Sequence, residues 1–134
     1  MTKTLKSITS PNVMKPIGPY SHVVTFGDWI TISAIAGVNP TTGELAGPDV
    51  KSQTEQILNA FEILLEAADS NLEHIAHVNV FLKSMDDFSE MNEVYEKRMG
   101  DWRPARTCIA VSDLPKPGAR LTMNLTAVTA VKNT

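Results

Sequence analysis

The sequence predicts an α+β fold in which one mixed β-sheet carries two helices packed on one face. Three observations support this class: two segments with apolar residues at helical spacing, several short segments with alternating apolar residues, and a length of 134 residues, which suits a single domain over residues 1–134. The predicted order of elements is β-β-α-β-α-β-β. Because two helices cover only one face, we expect the other face to be open.

The first half of the chain predicts a β-hairpin followed by a helix. The segment "SHVVTFGDWITISAIAGV" reads as two strands that turn at Gly27 and Asp28. The following segment "KSQTEQILNAFEILLEAADSN" has apolar residues at helical spacing, namely Ile57, Phe61, Leu64, Leu65 and Ala68. Ser52 and Glu55 have the spacing of a capping box, which predicts the start of this helix.

The second half predicts a strand, a helix and two further strands. "AHVNVFLKS" alternates as a strand, and "DDFSEMNEVYEKRM" has helical spacing. In "RPARTCIAVSDL", Arg106 and Cys108 share one face of a strand, because successive side chains point to opposite faces. The last strand, "ARLTMNLTAVTAV", also alternates. We expect the open face to carry apolar and reactive groups and therefore to contact another subunit.

Composition limits the classes of function. A net charge of −3 and a pI near 5.5 give no general attraction to nucleic acid. One cysteine cannot form an internal disulfide, which fits a reducing compartment. The sequence shows no hydrophobic signal core and no apolar run of membrane-spanning length. We therefore expect a soluble, cytoplasmic protein without membrane contact.

Two groups of residues invite other interpretations. Lys97, Arg98 and Arg103 form a short basic group, which we interpret as the solvated end of a helix rather than an RNA surface. His74 and His77 invite a metal site, but three-residue spacing on a strand would send them to opposite faces. We predict no metal ligand among the histidines, His22 included.

Four segments of the chain resemble the Rid family, also called the YjgF or endoribonuclease L-PSP family. The resemblance extends from about Pro16 to Val128 and is carried by "IGPYSHVV", "TISAIAGVNPTTGEL", "VNVFLKSMDDFSEMNEVYEKRM" and "RPARTCIAVSDLPKPGARL". It implies a chorismate-mutase-like fold and a homotrimeric barrel with clefts between subunits. It also implies hydrolysis of 2-imino or enamine acids, such as 2-aminoacrylate, to 2-keto acids and ammonia. No metal or organic cofactor is implied.

The same resemblance implies the site residues. Arg106 matches a clamp for the substrate carboxylate, which suits the planar fork of arginine. Cys108 matches a thiol that lines the same cleft, and Tyr20 matches a tyrosine that closes over the ligand. Ser33 matches a serine of the neighbouring strand, and Asn92 an asparagine at the cleft edge.

This chain departs from the family pattern at two places. "SAI" stands where the family usually reads "SGQ", so Ala34 and Ile35 make the cleft wall more apolar. "TMN" stands where an "EIE"-like run is usual, so Thr122 and Asn124 replace two glutamates. The first of these glutamates is associated with the attacking water. The hydroxyl of Thr122 can orient a water but is a poor general base near neutral pH.

Three functions remain open on the sequence alone. An imine deaminase would use Arg106, Tyr20 and Thr122 as its catalytic residues, with Cys108, Ser33, Asn92 and Ile35 contacting substrate. A non-catalytic trimer that binds small carboxylates would keep the arginine and dispense with the base. An endoribonuclease or translation inhibitor would use the basic group. For Cys108 we favour packing or ligand contact over nucleophilic attack, since the sequence places no base beside it.

Overall fold

The computed structural model describes residues 4–130 and confirms the predicted order of strands and helices, with one short strand added at the N-terminal side. Single 3₁₀ turns precede the fourth strand and the second helix. The elements are β1 (Lys6–Ile8), β2 (Val23–Phe26), β3 (Trp29–Ala36), α1 (Val50–Ala67), β4 (Ile75–Leu82), α2 (Phe88–Met99), β5 (Ala105–Ala110) and β6 (Leu121–Val128).

The six strands form one mixed sheet in the order β1-β2-β3-β6-β4-β5. Strands β4 and β5 are parallel, and α2 supplies the crossover connection that a parallel pair needs. The other neighbouring pairs are antiparallel. Helix α1 packs on β3 and β6, and α2 packs beside α1. The α+β class with two helices on a mixed sheet is therefore confirmed.

The alternating apolar and polar side chains of β6 point to opposite faces of the sheet. The apolar set of β6 is almost completely buried under the helices, namely Leu121, Met123, Leu125 and Ala127. On β4 the residues that face the helices are Val78, Val80 and Leu82, which are fully buried. The opposite face is open, and Ile109 of β5 is 47% exposed there. The sheet therefore has one covered and one uncovered face, as its pattern predicts.

The hairpin turns where the sequence predicts it. Phe26 pairs with Trp29, so Gly27 and Asp28 form a two-residue connection. Gly27 has a φ of +58°, which a residue without a Cβ adopts at little cost. This turn places β2 beside β3 and fixes their register.

The predicted capping box at the start of α1 is wrong. The N-cap residue is Asp49, whose carboxylate accepts hydrogen bonds from the backbone N of Ser52 at 2.9 Å and from its Oγ at 3.0 Å. Glu55 binds Arg98 instead of the helix start. An aspartate three residues before Ser52 satisfies the same free N–H group, so the helix begins earlier than the capping box implies.

The interpretation of the basic group as a solvated helix end is wrong for Arg98. Its two terminal nitrogens bind Glu55 at 2.6 Å and Glu62 at 2.8 Å, so it joins α2 to α1. Arg103 lies 3.8 Å from Glu96. Two cations of the group are therefore partnered by carboxylates, which weakens the case for an RNA surface.

The three histidines make local hydrogen bonds. His22 is fully buried, and its Nδ1 accepts from the backbone N–H of Ser10, so its Nε2 donates to the carbonyl of Met14. His74 lies in a 3₁₀ turn rather than on a strand. The prediction that His74 and His77 lie on opposite faces of one strand is therefore wrong. Within residues 4–130, no three His, Cys, Asp or Glu side chains are grouped as a metal site. No helix in the same range is long and apolar enough to cross a membrane.

Helix α1 lies directly against the end of β3 where Gly37 meets Gln53. A Cβ added to Gly37 would lie 2.7 Å from the Cα of Gln53 and closer still to its carbonyl oxygen. The side chain of Gln53 is fully buried and binds three backbone groups that belong to two loops. Its amide donates to the carbonyls of Gly47 and Gly118, and its oxygen accepts from the backbone N of Arg120.

The substitution Gly37→Ala is expected to destabilise the chain, because the new methyl group would meet helix backbone that cannot rotate away. We expect a loss of at least about 1–3 kcal/mol, measured by urea denaturation. Gly18→Ala is the matched control, since its added Cβ would meet only the Tyr20 ring at 3.5 Å. Equal stability of the two variants would contradict the close packing of Gly37 against Gln53.

Candidate active site

Arg106 on the edge strand β5 is held by one face of α2. Its guanidinium lies over the ring of Tyr95, 4.8 Å from the centroid, and 5.8 Å from that of Phe88. Its Nη1 donates to Oδ1 of Asn92 at 2.8 Å. These helix residues are spaced four and three positions apart, which brings them to one side of α2. The helix therefore orients the arginine by two ring contacts and one hydrogen bond.

Arg106 has no carboxylate partner within residues 4–130. The other arginines of the sequence, namely Arg98, Arg103 and Arg120, all lie within 4.0 Å of a carboxylate. A half-buried cation has lost part of its hydration, and an anion restores that energy best. Arg106 is therefore suited to bind an acidic ligand.

A cavity of about 360 Å³, which we call the arginine pocket, surrounds this guanidinium. It is lined by Asn92, Tyr95, Glu96, Arg103, Pro104 and Arg106. Apart from Pro104, all of these side chains carry polar atoms that point to recognition of a charged ligand.

Cys108 lies on the same face of β5 as Arg106 but does not line the arginine pocket. It is partly buried and packs against the core. Burial raises the pKa of the Cys108 thiol, and the positive charge of Arg106 acts in the opposite direction. A thiol with a raised pKa stays protonated near neutral pH and is a poor nucleophile. This environment agrees with packing rather than covalent catalysis.

The hydroxyl of Tyr95 is buried and makes no hydrogen bond within the part of the chain that the structure describes. Burial also raises the pKa of this hydroxyl, while Arg106 and Arg103 lower it. A buried hydroxyl without a hydrogen-bond partner lowers the stability of the folded chain. Packing of the core alone therefore does not explain why this hydroxyl lies beside two cations.

A second cavity, of about 410 Å³, lies near the N-terminal segment and β3, and we call it the tyrosine pocket. It contains the predicted residues Tyr20, Ser33 and Thr122. The hydroxyl of Tyr20 accepts from the backbone N of Ile17, and Oγ of Ser33 donates to the carbonyl of Ser21. The complete lining is Met14, Ile17, Gly18, Tyr20, Ser33, Ala34, Ala36, Pro115, Lys116 and Thr122.

A β-bulge decides which residues of "SAI" reach the tyrosine pocket. The pairing of β3 with β6 shifts between Ile32 and Ile35, so Ser33 and Ala34 are both set away from the core. Ile35 returns to the core and is 1% exposed. The expectation that Ile35 contacts substrate is therefore wrong in this structure, whereas Ala34 does line the pocket.

The two pockets lie far apart on the same chain. Ser33 is on β3 and Arg106 is on β5, with β6 and β4 between them, which corresponds to about 14 Å across the sheet. Arg106 is also on the helix side of the sheet and not on the open face, which corrects the expected location of the reactive groups. One chain thus brings Arg106 and Asn92 together but leaves Tyr20, Ser33 and Thr122 elsewhere.

Several lining residues are absent from the set predicted from the sequence. Glu96, Arg103 and Tyr95 surround Arg106, and Lys116 lies at the tyrosine pocket. Helical spacing predicts that Tyr95 is buried. Glu96 follows Asn92 by four residues, which indicates that their side chains share one face of α2. No local pattern indicates Lys116, because its loop is placed by distant contacts.

The chain matches the family model described as endoribonuclease L-PSP over residues 10–129. It is 43% identical to the RutC family protein PH0854 of Pyrococcus horikoshii over 109 residues, which cover 81% of this chain and 86% of that protein. It is 37% identical to the 2-iminobutanoate/2-iminopropanoate deaminase of Escherichia coli, covering 83% of this chain and 88% of the relative.

Solved structures show the same architecture. A crystal structure from Thermotoga maritima, described as a putative endoribonuclease, superposes with a TM-score of 0.88 at 35% identity and covers 94% of this chain and 98% of its own. The YjgF gene product of Escherichia coli superposes with a TM-score of 0.84 at 32% identity, covering 92% and 98%. The likeness thus extends over most of the chain in both comparisons.

The substitution Tyr95→Phe is expected to leave the chain equally stable or to stabilise it by about 1 kcal/mol, because it removes a buried hydroxyl without an acceptor. The phenyl ring keeps the contact with Arg106. Urea denaturation of both proteins measures the difference. A clear loss of stability would show that the hydroxyl has a partner, such as a group from another copy of the chain.

Proposed function

Because the chain belongs to the Rid family, also described as endoribonuclease L-PSP, we propose that it hydrolyses 2-imino and enamine acids such as 2-aminoacrylate to 2-keto acids and ammonia. The observation that carries the proposal is Arg106, a half-buried guanidinium with no carboxylate partner among the described residues. The name of the Escherichia coli relative supports the same class of substrate. The proposed reaction uses no metal or organic cofactor.

Arg106 would bind the substrate carboxylate and so fix the position of the neighbouring imine carbon. Asn92 and the Tyr95 ring already hold the guanidinium, so little conformational freedom is lost when the ligand binds. Two parallel charge-assisted hydrogen bonds orient a carboxylate better than one. An iminium carbon is strongly electrophilic, and a water held beside it has a short path to attack.

The complete site would combine the arginine pocket of one copy with the tyrosine pocket of the next. The two pockets are three strands apart within a chain and therefore cannot enclose one small ligand together. A head-to-tail contact that repeats around a closed ring generates such shared sites, and we expect a homotrimer. The uncovered face with exposed Ile109 supports an assembly of this kind.

The tyrosine pocket would surround the rest of the substrate. Its wall is mainly apolar, and Ala34 adds a methyl group where the family usually has glycine. This environment suits a small apolar substituent on the imine carbon. Thr122 lines the same wall and could hold a water through its hydroxyl.

A non-catalytic trimer that binds small carboxylates is the second candidate. The observation that favours it is Thr122, since the tyrosine pocket contains no carboxylate among the described residues. Such a protein would bind acids through Arg106 and leave imine hydrolysis at its uncatalysed rate.

The RNA-directed alternative has less support, because Arg98 is paired with Glu55 and Glu62. In the deaminase proposal, the reaction takes place in the cytoplasm.

The substitution Arg106→Ala is expected to lower the rate of imine hydrolysis by about 10- to 100-fold, as the loss of charge-assisted hydrogen bonds implies. The assay follows 2-keto acid and ammonia formed from freshly generated 2-aminoacrylate. Lys97→Ala is the control, because it removes an exposed cation outside both pockets. A wild-type rate equal to that without protein would favour the carboxylate-binding candidate.

Mixing two variants that each carry one damaged pocket tests whether a site is shared between copies. Arg106→Ala and Tyr20→Ala damage different pockets, so an assembly of both contains some undamaged clefts. Denaturing and refolding a 1:1 mixture is expected to restore about a quarter of the wild-type clefts if the pockets come from neighbouring copies. A mixture as inactive as its components would contradict the shared site. Sedimentation analysis of the wild type gives the number of copies directly.

A further inference from the structure

We propose that Glu96 is the catalytic carboxylate of this chain, which accepts the proton of the attacking water and returns it to the leaving amine. This inference rests on the proposed imine hydrolysis. It assigns the general-base role to helix α2 instead of strand β6, where Thr122 and Asn124 stand in place of the usual glutamates.

The position of Glu96 on α2 places it in the arginine pocket. It follows Asn92 by four residues, so the two side chains lie on the same face of the helix, one turn apart. Asn92 binds Arg106, and Glu96 lines the cavity around that guanidinium. A substrate whose carboxylate binds Arg106 would therefore have its imine carbon near this helix face.

Among the described residues, Glu96 is the one carboxylate that lines either pocket. Thr122 supplies only a hydroxyl, which is a poor base near neutral pH. Asn124 is no substitute, because its Oδ1 accepts a hydrogen bond from Nδ2 of Asn79 at 2.8 Å. If the arginine pocket of one copy faces the tyrosine pocket of the next, the general base of the shared site must come from the arginine pocket.

Arg103 holds Glu96 without neutralising it in a tight pair. One terminal nitrogen of Arg103 donates to the backbone carbonyls of Gly100 and Trp102, which anchors the guanidinium at the end of α2. The other lies 3.8 Å from Oε1 of Glu96, longer than the 2.8 Å contact between Arg120 and Asp87. The side chain of Glu96 is 74% exposed in the single chain, so its carboxylate is accessible to a ligand and a water.

The reaction balances with Glu96 as the proton carrier. The water oxygen forms a bond to the iminium carbon, the π electrons of the C=N bond move to nitrogen, and one water proton passes to the Glu96 carboxylate. Glu96 then returns this proton to the nitrogen of the carbinolamine. The C–N bond breaks, the C=O bond forms, and ammonia takes the hydroxyl proton and leaves as ammonium. Glu96 is ionised again at the end.

The first experiment compares Glu96→Gln with Glu93→Gln in the imine hydrolysis assay. Glu93 is an exposed carboxylate of the same helix that pairs with Lys51 and lines neither pocket. We expect Glu96→Gln to lower kcat by about 100-fold or more, as removal of a general base does, and Glu93→Gln to leave it near the wild-type value. Binding of pyruvate, the 2-keto acid formed from 2-aminoacrylate, should persist in both variants, because Arg106 is intact.

The pH dependence distinguishes a base from a residue that only shapes the pocket. We expect the pH–rate profile of the wild-type protein to have an acidic limb that is absent from the residual rate of Glu96→Gln. Urea denaturation of the same samples verifies that both variants are folded.

The outcomes separate the two proposals. A wild-type rate no higher than the uncatalysed rate would overturn imine hydrolysis and the role of Glu96 together. An active wild type with an equally active Glu96→Gln variant would overturn only the role of Glu96. A variant that keeps the acidic limb, or that loses product binding in parallel with kcat, would also overturn it.

Discussion

The close contact between Gly37 and Gln53 is the constraint on which the arrangement of the sheet and its loops depends. Without a side chain at Gly37, α1 settles directly on the end of β3. The buried amide of Gln53 then satisfies backbone groups of Gly47, Gly118 and Arg120, which belong to loops distant in the sequence. Because these backbone groups would be costly to bury unpaired, one side chain fixes the path into β6.

Charge is distributed so that a single arginine remains available. Arg98 and Arg120 bind carboxylates of other elements, and Arg103 lies 3.8 Å from Glu96. Arg106 is held by aromatic rings and by the amide of Asn92 instead. An aromatic face and a neutral amide orient a guanidinium without neutralising it. The fold thus leaves one arginine, on an edge strand against one face of α2, without a carboxylate partner among the described residues.

The position of each residue decides whether its departure from the family pattern alters the tyrosine pocket. The bulge in β3 turns Ala34 to the tyrosine pocket and returns Ile35 to the core, so only one of the two changes alters the pocket wall. The loss of a carboxylate at Thr122 leaves that wall without a base. Glu96 lines the arginine pocket, and only in the assembly proposed above would the walls of the two pockets meet.

Local patterns by themselves predicted both helices and every strand except β1, and the resemblance carried by "RPARTCIAVSDL" indicated Arg106 as a candidate site residue. Alternation along β6 and helical spacing along α2 depend on the geometry of each element, which the sequence encodes directly. Only the tertiary structure decided that Arg106 lies on the helix side, that Arg98 binds Glu55, and that the predicted residues divide between two pockets. These outcomes depend on contacts between residues far apart in the chain, and such contacts are fixed by packing and sheet order rather than by local spacing.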